Sequence, residues 1–218
     1  MRVALLDLLL PTSCGGCSRF GTPLCHGCRL ALRPASNPSH RFLAPDPGVV
    51  VGDAFEVAMA AFAYEGVLRR ALQRLKYGGM ARIAQPLAEA AVPRLRALVA
   101  MVGPCDLVPV PIHVGRLRER GYNQAELLAA ALARAAGLDV RSTLIRQRPT
   151  TQQHRLDRAA RLRNLRQAFA VHPRARPPPV VILVDDILTT SATLEACAHV
   201  LRERGAERVA GFAIGREV

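Results

Sequence analysis

The sequence predicts an α/β protein: a mostly parallel sheet flanked by helices, with a small cysteine-bearing knob at the N-terminus. Three observations predict it. Short apolar runs alternate with amphipathic stretches of helical period between residues 57 and 214. The run VVILV at 180–184 is apolar at every position, as a central strand covered on both faces requires. Two Cys-x-x-Cys pairs, seven residues apart, precede all of this. At 218 residues, half of them hydrophobic, the chain can hold one good-sized domain and a small appendage.

Taken in order, the first ten residues, MRVALLDLLL, read as a short packing helix. Asp7 interrupts their apolar stretch, and cysteines follow where a signal peptide would place small residues. No apolar run approaches the roughly 20 residues of a membrane span, so a soluble, cytoplasmic protein is expected. Cys14-Gly-Gly-Cys17 and Cys25-His-Gly-Cys28 supply four thiolates for one tetrahedral zinc, and the glycines let each knuckle turn tightly. Four protein ligands leave no open position, which makes the zinc structural. A redox pair would be a single Cys-x-x-Cys at a strand-to-helix turn, and disulfides are disfavoured in the cytoplasm. His26 is surplus to the ligand set, and Cys105 and Cys197 read as core. The Pro-, Asn- and Ser-containing stretch 33–48 reads as a linker. The chain thus divides into 1–45 (helix, four-cysteine knob and linker) and 46–218 (the main domain).

Within the main domain, 57–64 reads as a strand, 66–77 as a helix, and 81–100 as a helix with Pro93 a kink point. Residues 106–110 form a strand, and 123–136 a helix closed by Gly137. Residues 140–146 follow as a strand and 156–167 as partly helical. Strands at 168–171 and 180–184, a helix at 191–204 ended by Gly205, and a strand at 208–214 complete the pattern. There is no internal repeat.

The net charge is +13, and Lys76 is the only lysine. Between Arg141 and Arg176 ten arginines stand against one acid, Asp157, a local charge of +9. A patch of this kind raises the local concentration of polyanions, so a phosphate or nucleic-acid partner is expected. Arg155, Arg158, Arg161 and Arg163 are its candidate contacts to single-stranded DNA. Aromatic residues are scarce there, so binding is expected to be mainly electrostatic.

The stretch VVILVDDILTTSAT (180–193) carries the chemistry. Ligand crevices of parallel sheets lie at the carboxyl ends of the strands, where Asp185 and Asp186 are expected to fall. Adjacent carboxylates point apart on extended chain and accept well from the vicinal hydroxyls of a sugar. Thr189, Thr190, Ser191, Ala192 and Thr193 then enter a helix whose free N–H groups and hydroxyls make a phosphate cradle. Acids for a ribose followed by donors for its 5′-phosphate fit a phosphorylated sugar.

This stretch resembles the phosphoribosyl pyrophosphate motif of type I phosphoribosyltransferases. The double Cys-x-x-Cys, AYEG (63–66), LKYG (75–78), VPVPIH (108–113), RLRERGYNQAE (116–126) and RNLRQAF (163–169) are similar to the ComF family of competence-related proteins. The resemblance covers nearly the whole chain. It implies a type I phosphoribosyltransferase-like fold, with Asp185 and Asp186 on the ribose hydroxyls and 189–193 around the 5′-phosphate. Where the family has glycine in its TTGxT loop, this sequence has Ser191. VPVPIH leaves a strand end where related proteins bind pyrophosphate, which makes His113 a candidate contact. RLRERGY reads as a mobile basic lid over a diphosphate, with Arg116, Arg118 and Arg120 as anion ligands and Lys76 beside them. The resemblance also implies a role in natural transformation, the uptake of single-stranded DNA, with DNA or a helicase as partner. The alternative is an active phosphoribosyltransferase of nucleotide metabolism, in which magnesium bridges the departing diphosphate.

Overall fold

The computed structural model describes residues 12–35, 46, 48–147, 165 and 167–217. The first eleven residues and the four candidate DNA contacts, Arg155, Arg158, Arg161 and Arg163, lie outside that set.

The strands are β1 (Val49–Val50), β2 (Ala58–Ala63), β3 (Asp106–Pro109), β4 (Leu144–Arg146), β5 (Phe169–Val171), β6 (Val180–Leu188) and β7 (Arg208–Arg216). The helices are α1 (His26–Leu30), α2 (Gly66–Tyr77), α3 (Ala84–Val102), α4 (Val114–Arg120), α5 (Gln124–Ala136) and α6 (Ala192–Glu203). Five strands form the main sheet in the order β1-β2-β7-β6-β3, parallel throughout except for the short β1.

β6 is its spine. Val181, Ile182, Leu183 and Val184 have no exposed surface. Ile182 and Val184 pack with Leu72, Leu87 and Leu132 of α2, α3 and α5. Val181 and Leu183 pack on the other face with Leu194 and Leu201 of α6 and with Leu144 and Phe169 of β4 and β5. The period of two thus sends alternate side chains into two cores. Each buried aliphatic group contributes about 1.5–3 kcal/mol.

The elements differ from the expected ones in four places. The strand begun at Val180 does not end at Val184: pairing with β7 continues to Leu188, opposite Arg216, and places both aspartates inside β6. Residues 144–146 and 169–171 do not join the parallel sheet but pair with each other as a separate two-stranded antiparallel sheet, with Val140 alone bridging Leu107 among the described residues. The basic segment expected as a lid is the helix α4, started by His113, whose Nδ1 accepts from Gly115 N at 3.1 Å, and stopped by Gly121 in the left-handed conformation. The start of the expected linker is sheet edge: Ala35 N donates to Ala61 O, Ala63 N donates to Arg33 O, and Ala35 is buried. α3 runs through Pro93 as one helix.

The cysteine knob packs on this body. Cys14, Leu24, Cys28 and Leu32 belong to the cluster that holds α2 and α3. Arg70 donates to Gly16 O and Arg74 to Cys14 O and Ser18 Oγ, at 2.6–2.7 Å. No described helix is long and apolar enough to cross a membrane.

Candidate functional site

The four cysteine sulfurs lie within 4.8 Å of one another. A tetrahedral ion with metal–sulfur bonds of about 2.3 Å needs sulfurs about 3.8 Å apart. Cys17 Sγ and Cys25 Sγ are 3.7 Å apart, so the set fits zinc. Backbone makes the cradle: Gly16 N and Cys25 N donate to Cys14 Sγ at 3.4 and 3.3 Å. A Cβ at Gly16 would stand 2.7 Å from Cys28 Sγ, so only glycine fits this knuckle. Burial raises the Cys14 thiol, yet the N–H groups of Cys25, Cys17 and Gly16 outweigh it and hold it at about 6, ready to ligate as thiolate. Burial and the neighbouring thiols push Cys28 up.

At the sheet, Asp186 is buried, with 6% of its side chain exposed, and both oxygens are engaged. Lys76 Nζ lies 2.5 Å from Oδ2, and Gln124 Nε2 donates to Oδ1 at 3.3 Å. Asp186 N donates to Asp185 Oδ1 at 2.8 Å. Burial and then the Asp186 carboxylate hold Asp185 well above the usual carboxylate range, against the pull of the Asp186 N–H and Lys76. Lys76, near the end of α2, therefore serves the acid pair rather than the helix dipole alone. Gln124 also accepts from Arg120 Nη1, and the Arg120 guanidinium lies 5.2 Å from the centre of the Tyr77 ring. Lys76, Asp186, Gln124, Arg120 and Tyr77 thus close a ring of contacts between α2, β6, α5 and α4.

Beyond β6, Thr189 and Thr190 are exposed, and Ser191, Ala192 and Thr193 are partly buried at the start of α6. The first helical hydrogen bond runs from Glu195 N to Ser191 O, so the N–H groups of Ala192, Thr193 and Leu194 precede the ladder. Ser191 has φ 59° and makes no side-chain cap. It holds the left-handed conformation that glycine adopts freely, at about 1 kcal/mol of strain. Ser191→Gly is expected to raise the melting temperature by about 2–4 °C, the shift of 1 kcal/mol in a protein of this size. A fall on thermal denaturation would mean that the hydroxyl holds the loop.

A cavity of about 410 Å³ opens beside the Lys76–Asp186 pair, lined by Lys76, Tyr77, Gly79, Arg116, Glu119 and Arg120. Three of the basic residues expected together, Lys76, Arg116 and Arg120, meet there. Arg118 is exposed outside the lining, and His113 serves as the α4 cap. Among the described residues of the arginine cluster, Arg141 and Arg146 have partners. Arg141 bonds Asp106 at 3.3 Å, and Arg146 lies 5.2 Å from the Phe169 ring centre. Burial, then Arg116, lowers Arg146, while Cys197 and Asp185 pull it back.

Sequence reasoning missed Gln124 and Glu195. Gln124 stands one turn before Leu128 on the apolar face of α5, which signals a buried polar group with a partner. Glu195 accepts from Asp53 N and Ala54 N at 2.7 and 2.9 Å and pins that loop to the first turn of α6.

The fold and these clusters define an α/β protein with an open, mostly parallel sheet, an acid pair late in the interior strand β6 and a four-cysteine knob. No protein-family model matches the chain. It is 30% identical over 213 residues to the DNA utilization protein YhgH of Salmonella typhimurium, covering 96% of this chain and 91% of that one. It is 34% identical over 116 residues to competence protein F of Haemophilus influenzae, 52% of this chain and 51% of that one. With competence protein ComFC of Bacillus subtilis it shares 31% identity over 161 residues, 72% and 63% of the two chains. The chain belongs to the ComF family. Among solved structures it is similar to the glutamine phosphoribosylpyrophosphate amidotransferase of B. subtilis complexed with ADP and GMP. There the TM-score is 0.43 and the identity 17%, over 76% of this chain and 36% of that one.

Proposed function

We propose that the protein binds phosphoribosyl pyrophosphate or a related phosphorylated ribose and acts in DNA uptake, through single-stranded DNA or a helicase partner. The observation that carries the reading is the succession of Asp185, Asp186 and the 189–193 loop, running from the interior strand β6 into an open helix N-terminus. Donors suited to a 5′-phosphate follow within a few residues of acceptors suited to ribose hydroxyls. The names of the relatives support the DNA part, as does the charge of 141–176. In this reading residues 1–45 hold a structural zinc on Cys14, Cys17, Cys25 and Cys28, and 46–218 carry the ligand.

Magnesium would be held together with a bound diphosphate. Among the described residues only the four cysteines group as metal ligands, so the phosphate oxygens would supply most of its shell, as is usual for this ion. Bound there, it would neutralise diphosphate charge. Lys76, Arg116 and Arg120 face the same negative charge from the cavity wall. Asp186 must exchange Lys76 or Gln124 for a ribose hydroxyl, which couples ligand entry to the α2–α4 flank.

Phosphoribosyl pyrophosphate with magnesium at a hundred times its dissociation constant stabilises by about 2.7 kcal/mol. The expected rise in melting temperature is about 5–10 °C. Asp185→Asn with Asp186→Asn is expected to abolish the rise in a folded protein. A double variant that responds like the wild type would place the ligand elsewhere. Diphosphate release assayed across nucleobases separates an enzyme from a binding protein.

A further inference from the structure

Tyr77 ends α2 with 78% of its surface exposed, and no packing need accounts for it. One face of its ring is taken by the Arg120 guanidinium, which Gln124 holds in turn. The ring is therefore braced from one side and open on the other. It forms one wall of the 410 Å³ cavity, where three cations stand against one acid, Glu119. That volume lies in the range of roughly 300–1,000 Å³ typical of small-ligand sites. The neighbouring helix is not committed to the core: α4 buries none of its residues, and Val114 and Leu117 are exposed. An open aromatic face beside fixed positive charge is the combination that takes a base and its phosphate together.

We propose that this cavity binds one nucleotide, its base stacked on the open face of Tyr77 and its phosphate held by Lys76 and Arg116. The inference rests on the DNA part of the proposed function and deepens it, since that reading assigned only electrostatic contacts. It needs neither the 189–193 loop nor the arginines of 141–176. Glu119 is the one carboxylate of the lining and can accept from an exocyclic amino group. Braced by Arg120, the ring is also linked through Gln124 to Asp186, so the nucleotide cavity and the acid pair share one set of contacts. The nucleotide can arrive free or as part of a single strand, and the chemistry at Tyr77 is the same.

The chain contains no tryptophan, so Tyr77→Trp creates a single emission reporter at the site. Oligothymidylate, dTMP, dAMP and inorganic diphosphate are titrated in turn. Quenching by the strand alone identifies single-stranded DNA as the source, and quenching by dTMP or dAMP at similar concentration identifies a free nucleotide. On an oligothymidylate, Tyr77→Ala is expected to weaken binding about tenfold, the order of one lost stack, and Tyr77→Phe to restore it. Tyr77→Ala leaves the salt dependence unchanged, because no phosphate contact is removed. Arg116→Ala lowers the slope of log affinity against log salt by about 0.7 and keeps the quenching. On a fully abasic strand the wild type and Tyr77→Ala bind alike. Unmoved emission in every titration with base-bearing ligands would overturn the proposal. Equal affinity of Tyr77→Ala and wild type for the base-bearing strand would do the same. Failure of phosphoribosyl pyrophosphate to raise the wild-type melting temperature would remove the proposed sugar site and leave these outcomes untouched.

Discussion

Cys28→Ser, or removal of zinc by a strong chelator, is expected to lower the melting temperature of the whole protein by about 10 °C. A knob tethered by a linker would come loose alone and leave the main transition in place. The packing argues otherwise. Cys14 and Cys28 are buried, and Leu24 and Leu32 are 3% and 7% exposed within the cluster of α2 and α3. Arg70 and Arg74 of α2 spend their donors on knob backbone, and Arg29 pairs with Glu89 of α3. A Cβ at Gly15 would meet Ile83 at 2.4 Å, so knob backbone lies directly on the body. Without the ion the knuckles lose their closure, because small sites of this kind fold with their metal. Leu24 and Leu32 then lose about 1.5–3 kcal/mol each. At about 2–4 °C per kcal/mol the two leucines account for the shift. Metal analysis should find one zinc per chain. A metal-free protein of unchanged melting temperature would sink the expectation, and an early minor transition before an unmoved main one would restore the tethered knob.

The parts of this fold that were legible in the sequence are those set by local chemistry. α2 was legible to the residue, because Leu68, Ala71, Leu72 and Leu75 keep helical period and Gly78 follows. α5 was legible from Asn123, which accepts from Ala125 N, and from Gly137, which ends the helix left-handed. Long-range pairing was not. β6 extends through two charged residues because β7 offers Ala213, Gly215 and Arg216 as partners, and nothing near Asp185 announces that. β4 leaves the sheet for a partner more than twenty residues away. α4 was not legible as a helix because it has no face to bury; its ends, His113 and Gly121, make it one. The acid pair was legible as a pair, whereas the partner of Asp186 on α5 lies 62 residues away and could only be seen folded. Ser191 shows the reverse case: one departure from a glycine position marked the residue that the backbone holds at positive φ.

Lys76→Met is expected to destabilise the protein by about 3–5 kcal/mol at pH 8, and by clearly less at pH 5. The ion pair is enclosed, with 18% of the Lys76 side chain and 6% of the Asp186 side chain exposed. Removing one partner of a buried pair leaves an uncompensated charge, and that is the source of the cost. The pH dependence comes from Asp185. Its carboxyl is held above the usual value by burial and by Asp186, and Lys76 is one of the groups that pull it down. A carboxyl raised in the folded state binds more protons there than in the unfolded chain. Stability therefore falls as pH rises from the unfolded value of about 3.9 through the raised folded value, and levels off above it. Loss of Lys76 lifts the folded value further, so the fall continues to higher pH and grows. Toward lower pH Asp185 takes up its proton more fully in the folded state, and the missing cation matters less. Asp185→Asn in the Lys76→Met background removes the neighbouring acid and should recover most of the stability at pH 8. Melting curves of the two single variants, the double variant and the wild type at both pH values decide it. Equal losses at pH 5 and pH 8 would show that Lys76 acts through packing alone, and no loss at either would remove the ion pair from the account of this site.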